Sequence, residues 1–156
     1  MSSTLLAQNV SIIIVISEFN KPIIENLLQG SMDAFLHYGG IQSDIHIYRV
    51  PGAFEIPGTI VQIAKNKFPD AIVALGSIIR GETPHFDYIA TESTRGIAEI
   101  SRSLDIPVIN GILTTDTSQQ AVERSQVGGR NKGWDAMEAA LQTISVYQSM
   151  HTASQC

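Results

Sequence analysis

The segment from Gly81 to His85 combines residue types that can bind an anion and move protons. A hydroxyl residue followed by proline, here Thr83 and Pro84, is typical of a helix start. Because the first N–H groups of a helix are unpaired and its dipole is positive there, an anion, phosphate above all, is attracted to this position. His85 follows directly, and histidine is the usual proton shuttle near neutral pH. The segment therefore predicts a phosphate site beside a proton-transferring group, with a plain capped helix start as the alternative.

Other side chains also have a type and a position that suit ligand binding. Phe19 follows an aliphatic run and can stack on a flat heterocycle, or it can pack on the next helix as a hydrophobic staple. Glu55 can accept hydrogen bonds from ligand hydroxyls, or it can be an acid favoured at a helix start. Arg124 can hold a phosphate through two hydrogen bonds, or it can be a solvated cation at a helix end. The remaining histidines are expected to have structural or solvated roles: His37, His46 and His151.

Hydrophobic periodicity predicts the elements that must position these residues. Continuous β-branched runs such as residues 11–16 are typical of strands buried on both faces. The predicted strands are residues 11–16, 45–50, 71–75 and 107–113. Three longer helices are predicted at residues 22–38, 57–67 and 84–104. A capping box at residues 116–118 predicts the start of a short helix. Asn131 is predicted to cap a last helix, whose apolar stripe is Trp134, Met137, Leu141 and Ile144. Strands alternating with helices predict an α/β fold, a three-layer α/β/α sandwich with a four-stranded parallel, flavodoxin-like sheet.

Length and composition indicate one globular unit of 156 residues, 44% hydrophobic and 16% charged. We expect an arm at residues 1–10, one domain at 11–150 and a tail at 151–156. A net charge of −5 argues against nucleic acid binding, and the longest aliphatic run, residues 12–16, is too short to cross a membrane. The single cysteine, Cys156, excludes an internal disulfide and a thiolate metal cluster, and no metal motif is present. Because no secretory leader opens the chain, we expect a cytoplasmic protein.

The topology predicts where the loops meet. Every strand-to-helix loop of an open parallel sheet emerges at the carboxyl edge, where ligands bind. We therefore expect four segments to converge there: residues 17–20, 51–55, 77–85 and 114–117. They contain an aromatic ring, a carboxylate, a glycine-rich turn and a histidine, which is the composition of a small-molecule site. A narrow sheet also has exposed edges to cover, which favours an oligomer.

Taken together, these segments resemble the lumazine synthase family over residues 11–147. Residues 50–57 (VPGAFEIP) fit the family's Val-Pro-Gly-x-x-Glu-x-Pro segment throughout. Residues 76–85 (GSIIRGETPH) match its Gly-x-x-Ile-Arg-Gly-x-Thr-x-His segment. Its later motifs are matched by residues 111–115, Arg124 and residues 129–133. Several spaced matches in the right order make the resemblance specific.

The resemblance implies a reaction and roles for particular residues. A 5-amino-6-(ribitylamino)pyrimidinedione condenses with 3,4-dihydroxy-2-butanone 4-phosphate to give 6,7-dimethyl-8-ribityllumazine, phosphate and water, in riboflavin biosynthesis. No cofactor is implied, and His85 is the proton donor and acceptor. The residues implied to bind the pyrimidine and its ribityl chain are Phe19, Ala53, Phe54, Glu55, Ser77, Ile78, Ile79 and Asn110. Those implied to bind the phosphorylated substrate are Glu82, Thr83 and Arg124, with Lys132 as an accessory candidate.

Three positions depart from the family pattern, and the family also has a characteristic assembly. Glu18 stands where the family commonly has arginine, Asn110 where it often has phenylalanine, and Gly128 where it often has lysine. The last change removes one cation near the phosphate. The resemblance implies a pentamer whose site lies between neighbours, with Asn110 and Arg124 reaching in from the adjacent subunit. Because nothing is inserted between Arg124 and Asn131, the sequence is also compatible with assembly into a 60-subunit shell. Riboflavin synthase is a candidate partner.

Particular residues argue against two alternative interpretations of the sequence. A nucleotide-binding flavodoxin-like module would need a Ser/Thr/Gly-rich loop after the first strand, where residues 18–22 are EFNKP. A response-regulator receiver would need an aspartate at the end of the third strand, where Gly76 and Ser77 stand. Two alternatives stay open: the related archaeal-type riboflavin synthase, and a non-catalytic shell protein that binds flavin or lumazine. An assay has to separate these two from the synthase.

Overall fold

The centre of the molecule is a sheet of four parallel strands. The computed structural model describes residues 6–81 and 84–154. Strands β1 (Ile12–Ser17) and β3 (Ala71–Ile79) lie in the middle, and β2 (Ile45–Val50) and β4 (Val108–Thr115) form the edges, in the order β2-β1-β3-β4. All three strand pairs are parallel. The predicted four-stranded parallel sheet is confirmed.

Helices cover both faces of this sheet. They are α1 (Lys21–His37), α2 (Ile56–Asn66), α3 (His85–Ser103), α4 (Ser118–Glu123) and α5 (Lys132–Ser154). Helices α1 and α5 pack against each other on one face, where they bury one apolar cluster. Helices α2 and α3 pack on the other face and bury a second cluster. This arrangement is the three-layer α/β/α sandwich expected from the alternation of strands and helices.

Strand β1 shows why its sequence is an unbroken aliphatic run. Ile12, Ile14 and Ile16 join the apolar cluster under α1 and α5. Ile13 and Val15 point the opposite way, into the cluster under α2 and α3. Because side chains alternate along a strand, a strand covered on both faces needs an apolar residue at every position. Each fully buried Ile or Val contributes about 1.5–3 kcal/mol relative to an exposed one.

Strand β3 is longer than its sequence predicts, and the extra residues build the site described below. The predicted strand stops at Leu75 because glycine and serine disfavour strands. In the structure the strand continues to Ile79, because Ser77, Ile78 and Ile79 pair with the end of β4. Gly76 is needed at the junction, since a Cβ there would lie 2.7 Å from the Oγ atom of Ser17. Pairing with β4 thus overrides local propensity.

The N-termini of the last two helices are capped as predicted. The Thr117 hydroxyl accepts a hydrogen bond from the Gln120 N–H (3.1 Å), and the Gln120 side chain completes a capping box. Asn131 Oδ1 accepts from the Trp134 N–H (3.0 Å), which caps α5, and its Nδ2 donates to the Asn26 carbonyl of α1 (3.0 Å). Trp134 is half-buried against the core. The rest of the predicted apolar stripe of α5 is buried: Met137, Leu141 and Ile144.

The two ends of the described chain are attached to the domain. Ala7 and Val10 are buried, and the Ala7 N–H donates to the Tyr38 carbonyl (3.0 Å) at the end of α1. Helix α5 continues through residues 151–154, which the sequence assigns to a tail. Within residues 6–81 and 84–154, no helix has both the length and the apolar character required to span a bilayer.

Candidate active site

A cavity of about 490 Å³ opens at the carboxyl edge of the sheet. It lies where the chain leaves β1, β2 and β3 and where α3 begins. Three of the four segments expected to converge therefore meet in one place. The lining residues are Phe19, residues 51–55, residues 77–79, Gly81, His85, Phe86 and Ile89.

Phe19 lies in the loop after β1 and keeps most of its ring available. The Glu18 N–H donates to the Val50 carbonyl (2.8 Å), which ties this loop to the end of β2. Asn20 then adopts a left-handed conformation (φ 67°), which turns the chain into α1. Phe19 remains 65% exposed and lines the cavity. A ring that served only as a hydrophobic staple would be largely covered by the helix, so this exposure favours contact with a ligand.

The segment after β2 forms a single 3-10 turn, Ala53–Glu55, that runs into α2. Ala53 is buried and anchors the turn, whereas Phe54 and Glu55 are exposed at the cavity. The Glu55 carboxylate lies over Gly52, where an added Cβ would be 3.2 Å from Oε1. Glu55 is also the residue directly before α2, and its carbonyl accepts from the Thr59 hydroxyl (2.8 Å). Both roles considered for Glu55, helix start and ligand acceptor, are compatible with this position.

The last residues of β3 form one wall of the cavity with their backbone. The pairing of β1 with β3 ends at Leu75, whereas β3 and β4 remain paired to Ile79. Beyond Leu75, β3 is therefore an edge on the side of β1. A strand edge presents N–H and C=O groups that a planar ligand with its own donors and acceptors can bind. The geometry suits the backbone contacts expected of Ser77, Ile78 and Ile79.

His85 is the first residue of α3, and it is exposed and lines the cavity. Pro84 precedes it with helix-compatible φ of −70°. Gly81 lines the cavity on the other side of the turn. Glu82 and Thr83 lie outside the described residues, so the phosphate contacts predicted for them stay predictions. The structure thus brings His85 to the same cavity as Phe19 and Glu55.

Arg80 is a residue at this site that sequence reasoning did not single out. Its Nε donates to Asp116 Oδ1 (2.9 Å), and its guanidinium also reaches Asp87 Oδ1 (3.3 Å) and lies 4.4 Å from the centre of the Phe86 ring. The hydrogen bond with Asp116, and then the charges of Asp87 and Asp116, raise the pKa of Arg80 above its ordinary value. Arg80 thereby connects the loop after β3 to the loop after β4. Its place in the matched motif was the available signal, but partners 7 and 36 residues away were not visible in it.

Of the fourth predicted segment, residues 114–117, Thr114 lines a different cavity of about 300 Å³. This cavity is lined by residues 112–114, Arg124, Arg130, Lys132 and Asp135. β4 is an edge strand, and this cavity is built on its carboxyl end and on the turn before α5. Within one chain, Arg124 and Lys132 therefore do not share the cavity of His85. Four segments were expected to line one site, and three of them line the cavity that contains His85.

Asn110 is also placed away from His85. It is exposed on β4, level with Ala74 of β3, and its Oδ1 accepts from the Ile112 N–H (3.0 Å). It does not line the cavity that contains His85 in the described part of the chain. The residues that the resemblance assigns to an adjacent subunit, Asn110 and Arg124, are thus the ones that a single chain keeps apart from the others.

Comparison with known proteins places this arrangement in a family. The profile of the 6,7-dimethyl-8-ribityllumazine synthase family matches residues 9–148. Proteins named 6,7-dimethyl-8-ribityllumazine synthase are similar over nearly their whole length. The relative from Chlorobium limicola is 43% identical over 148 residues (95% of this chain, 96% of the relative). Those from Chloroherpeton thalassium and Nautilia profundicola are 42% identical (96% and 97% of the two chains) and 45% identical (93% and 94%).

The match covers all four strands and the loops that line both cavities. It includes the segments that hold Phe19, Glu55, His85 and Arg124. The chain therefore belongs to the 6,7-dimethyl-8-ribityllumazine synthase family.

Proposed function

We propose that this protein is a transferase that condenses 5-amino-6-(ribitylamino)pyrimidinedione with 3,4-dihydroxy-2-butanone 4-phosphate in riboflavin biosynthesis. The products are 6,7-dimethyl-8-ribityllumazine, phosphate and water. The observation that carries the proposal is the cavity at the carboxyl edge, which joins Phe19, Glu55 and His85 from three distant segments. Relatives that are 42–45% identical over more than nine-tenths of the chain bear the name of this activity. The cytoplasm is the proposed compartment.

The pyrimidine and its ribityl chain bind in the cavity of about 490 Å³. Phe19, whose ring is exposed there, stacks on the heterocycle. The free edge of β3 at residues 77–79 supplies backbone hydrogen bonds to the ring. Ala53 and Phe54 hold the ring edge, and the Glu55 carboxylate accepts hydrogen bonds from ribityl hydroxyls. Asn110 of an adjacent subunit replaces a stacking phenylalanine with a hydrogen-bonding amide.

The phosphorylated substrate binds where α3 begins. Glu82 and Thr83 donate their main-chain N–H groups to its phosphate, as the start of a 19-residue helix favours. Arg124 from an adjacent subunit supplies the counter-charge, and Lys132 assists it. In this arrangement the phosphate is held beside His85.

The chemistry asks for positioning and proton transfer. The primary amine of the pyrimidine attacks the ketone, and a first water leaves to form an imine. Phosphate is then eliminated, and the resulting enol tautomerises to a new ketone. The ribityl-bearing nitrogen attacks this carbonyl and closes the ring with loss of a second water. Each stage moves protons between nitrogen, carbon and oxygen, and His85 is the group in the cavity suited to accept and return them. Holding two substrates in contact removes much of the entropic barrier of a bimolecular reaction.

The division of the site between two surfaces supports an assembly. Because Arg124 lies in a cavity separate from His85, a complete site requires the β4 edge of one subunit to meet the His85 cavity of another. A ring of subunits joined head to tail satisfies this condition, and we propose a pentamer. Twelve such pentamers form the proposed 60-subunit shell, and riboflavin synthase is the proposed partner. Light scattering on the native particle distinguishes the pentamer from the shell.

A direct assay tests the activity. The purified protein is mixed with the pyrimidine and the butanone phosphate, and lumazine absorbance is followed together with phosphate release. Equal amounts of lumazine and phosphate are expected. Consumption of added lumazine with formation of riboflavin would indicate the riboflavin synthase instead. Binding of lumazine without turnover would indicate a non-catalytic shell protein.

A further inference from the structure

The turn between α4 and α5 is a short hairpin that carries three cations. The Gln126 N–H donates to the Arg130 carbonyl (2.9 Å), and the Lys132 N–H donates to the Arg124 carbonyl (2.9 Å). Gly128 lies at the tip of the hairpin with a φ of +79°. These two hydrogen bonds place the backbones of Arg124 and Lys132 opposite each other, with Arg130 two residues from Lys132.

The hairpin directs the three cations to one side. Between them, Ser125 and Asn131 form an antiparallel bridge and are both buried, where their side chains hydrogen-bond to carbonyls of α4 and α1. Because neighbouring residues on a strand point to opposite faces, Arg124, Arg130 and Lys132 point away from the core. All three line the cavity of about 300 Å³ on β4. The buried anchors Ser125 and Asn131 therefore hold the cations in a common direction.

The charges of this cavity are unbalanced. Arg124, Arg130 and Lys132 make no ion pair with any residue in the described ranges 6–81 and 84–154. Asp135 is the one carboxylate among the lining residues, so the cavity carries a formal charge of about +2 (three cations and one anion). The whole chain has a net charge of −5. A local excess of two positive charges matches the charge of about −1.5 to −2 on a phosphate monoester at neutral pH.

We infer that Arg130, together with Arg124 and Lys132, binds the phosphate group of the phosphorylated substrate. The inference rests on the proposed function and adds a substrate-binding residue to it. A guanidinium presents a fork of N–H donors that matches two phosphate oxygens, and Arg130 is exposed and has no competing carboxylate in an ion pair within the described residues.

Position 130 also accounts for the cation absent from the tip of the hairpin. Gly128 adopts a left-handed conformation that a glycine reaches without strain and that a longer residue rarely adopts. The side chain of Arg130 starts two residues later, on the face that lines the cavity. The charge expected near the phosphate is therefore supplied by Arg130 and not from the tip.

The test compares three variants of the assembled protein. Arg130→Ala removes the guanidinium, and Arg130→Lys keeps the charge without the fork. Arg102→Ala is the control, because it removes the same charge from an exposed residue near the end of α3. Arg102 lies beside the start of β4, at the amino-terminal ends of the strands and away from the cavity of Arg130. Binding of inorganic phosphate is measured by calorimetry at low ionic strength, and KM is measured for each substrate.

We expect Arg130→Ala to weaken phosphate binding and to raise KM for the butanone phosphate about tenfold. A tenfold effect corresponds to the lower end of the range for hydrogen bonds to charged groups, which is appropriate because Arg130 is exposed. KM for the pyrimidine is expected to stay within twofold of the wild type. Arg130→Lys is expected to lose less phosphate affinity than Arg130→Ala, and Arg102→Ala is expected to bind phosphate as the wild type does. Unchanged phosphate binding in Arg130→Ala, an equal loss in Arg102→Ala, or no phosphate binding by the wild type would overturn the inference. A wild type that binds phosphate but makes no lumazine would refute the proposed function alone.

Discussion

Replacing His85 tests the proposed chemistry most directly. His85 is the first residue of α3, is exposed and lines the cavity that also contains Phe19. His85→Ala removes the proton-transferring group while leaving the cavity walls in place. His85→Gln keeps a hydrogen-bonding side chain that cannot exchange protons in the same way. The pair of variants separates proton transfer from hydrogen bonding.

The size of the effect follows from the position of the side chain. General acid–base catalysis contributes about 10²–10⁴ in rate, which corresponds to about 2.7–5.4 kcal/mol in activation free energy. Because His85 is exposed at the start of α3 and is not in the core, the free energy of unfolding is expected to change by no more than about 0.5 kcal/mol. The loss of rate should therefore greatly exceed any loss of folded protein.

The assay is steady-state lumazine formation with both substrates at saturation. We expect kcat to fall 10²–10⁴-fold in both variants, about equally, because neither retains the imidazole. His46→Ala is the matched control, since His46 is exposed on the edge strand β2. Turnover in His85→Ala within a factor of a few of the wild type would refute the role of His85. A fall in His85→Ala that His85→Gln restores would indicate hydrogen bonding and not proton transfer.

Three further substitutions test other parts of the structure. Phe19→Ala should raise KM for the pyrimidine about 5- to 150-fold, as loss of about 1–3 kcal/mol of stacking implies, and leave KM for the butanone phosphate unchanged; equal changes in both would contradict the stacking role. Gly133→Ala should lower the free energy of unfolding by about 3 kcal/mol or more in urea, because the new Cβ would lie 1.9 Å from the Leu27 carbonyl oxygen, and a wild-type midpoint would refute this packing. Arg49 lowers the pKa of Glu25 through a hydrogen bond, so the pair stabilises the fold above the ordinary pKa of 4.5 and loses this contribution as the pH falls through the lowered value. Glu25→Gln should therefore cost up to about 0.5 kcal/mol at pH 7, since the pair is partly exposed, and progressively less as the pH falls through the lowered pKa of Glu25; a cost that does not change with pH would exclude the ion pair.

The elements were predictable wherever the signal is local. The continuous β-branched run of β1 and the stripe Met137, Leu141 and Ile144 on α5 depend only on side-chain spacing, and both are buried as expected. The capping box at Thr117 and the cap at Asn131 involve residues three positions apart, so they were visible as well. Patterns of this kind report contacts within one turn of helix or along one strand.

Features that depend on distant pairing were not predictable in the same way. The extension of β3 to Ile79 arises from pairing with β4, some 36 residues farther along the chain. The ion pairs of Arg80 likewise join two loops that the sequence does not relate. No propensity at the end of β3 signals either contact, because the partner lies in another segment.

The amino-acid sequence by itself determined the α/β sandwich, the family and the residues expected to bind and react, because these follow from periodicity, capping and spaced motifs. Only the tertiary structure decided how those residues are distributed. It brings Phe19, Glu55 and His85 to one cavity and leaves Arg124, directly after α4, in another. The reason is the order of the strands, since the cavity of His85 opens where the chain leaves β2, β1 and β3, whereas the cavity of Arg124 is built on the edge strand β4 and the turn before α5.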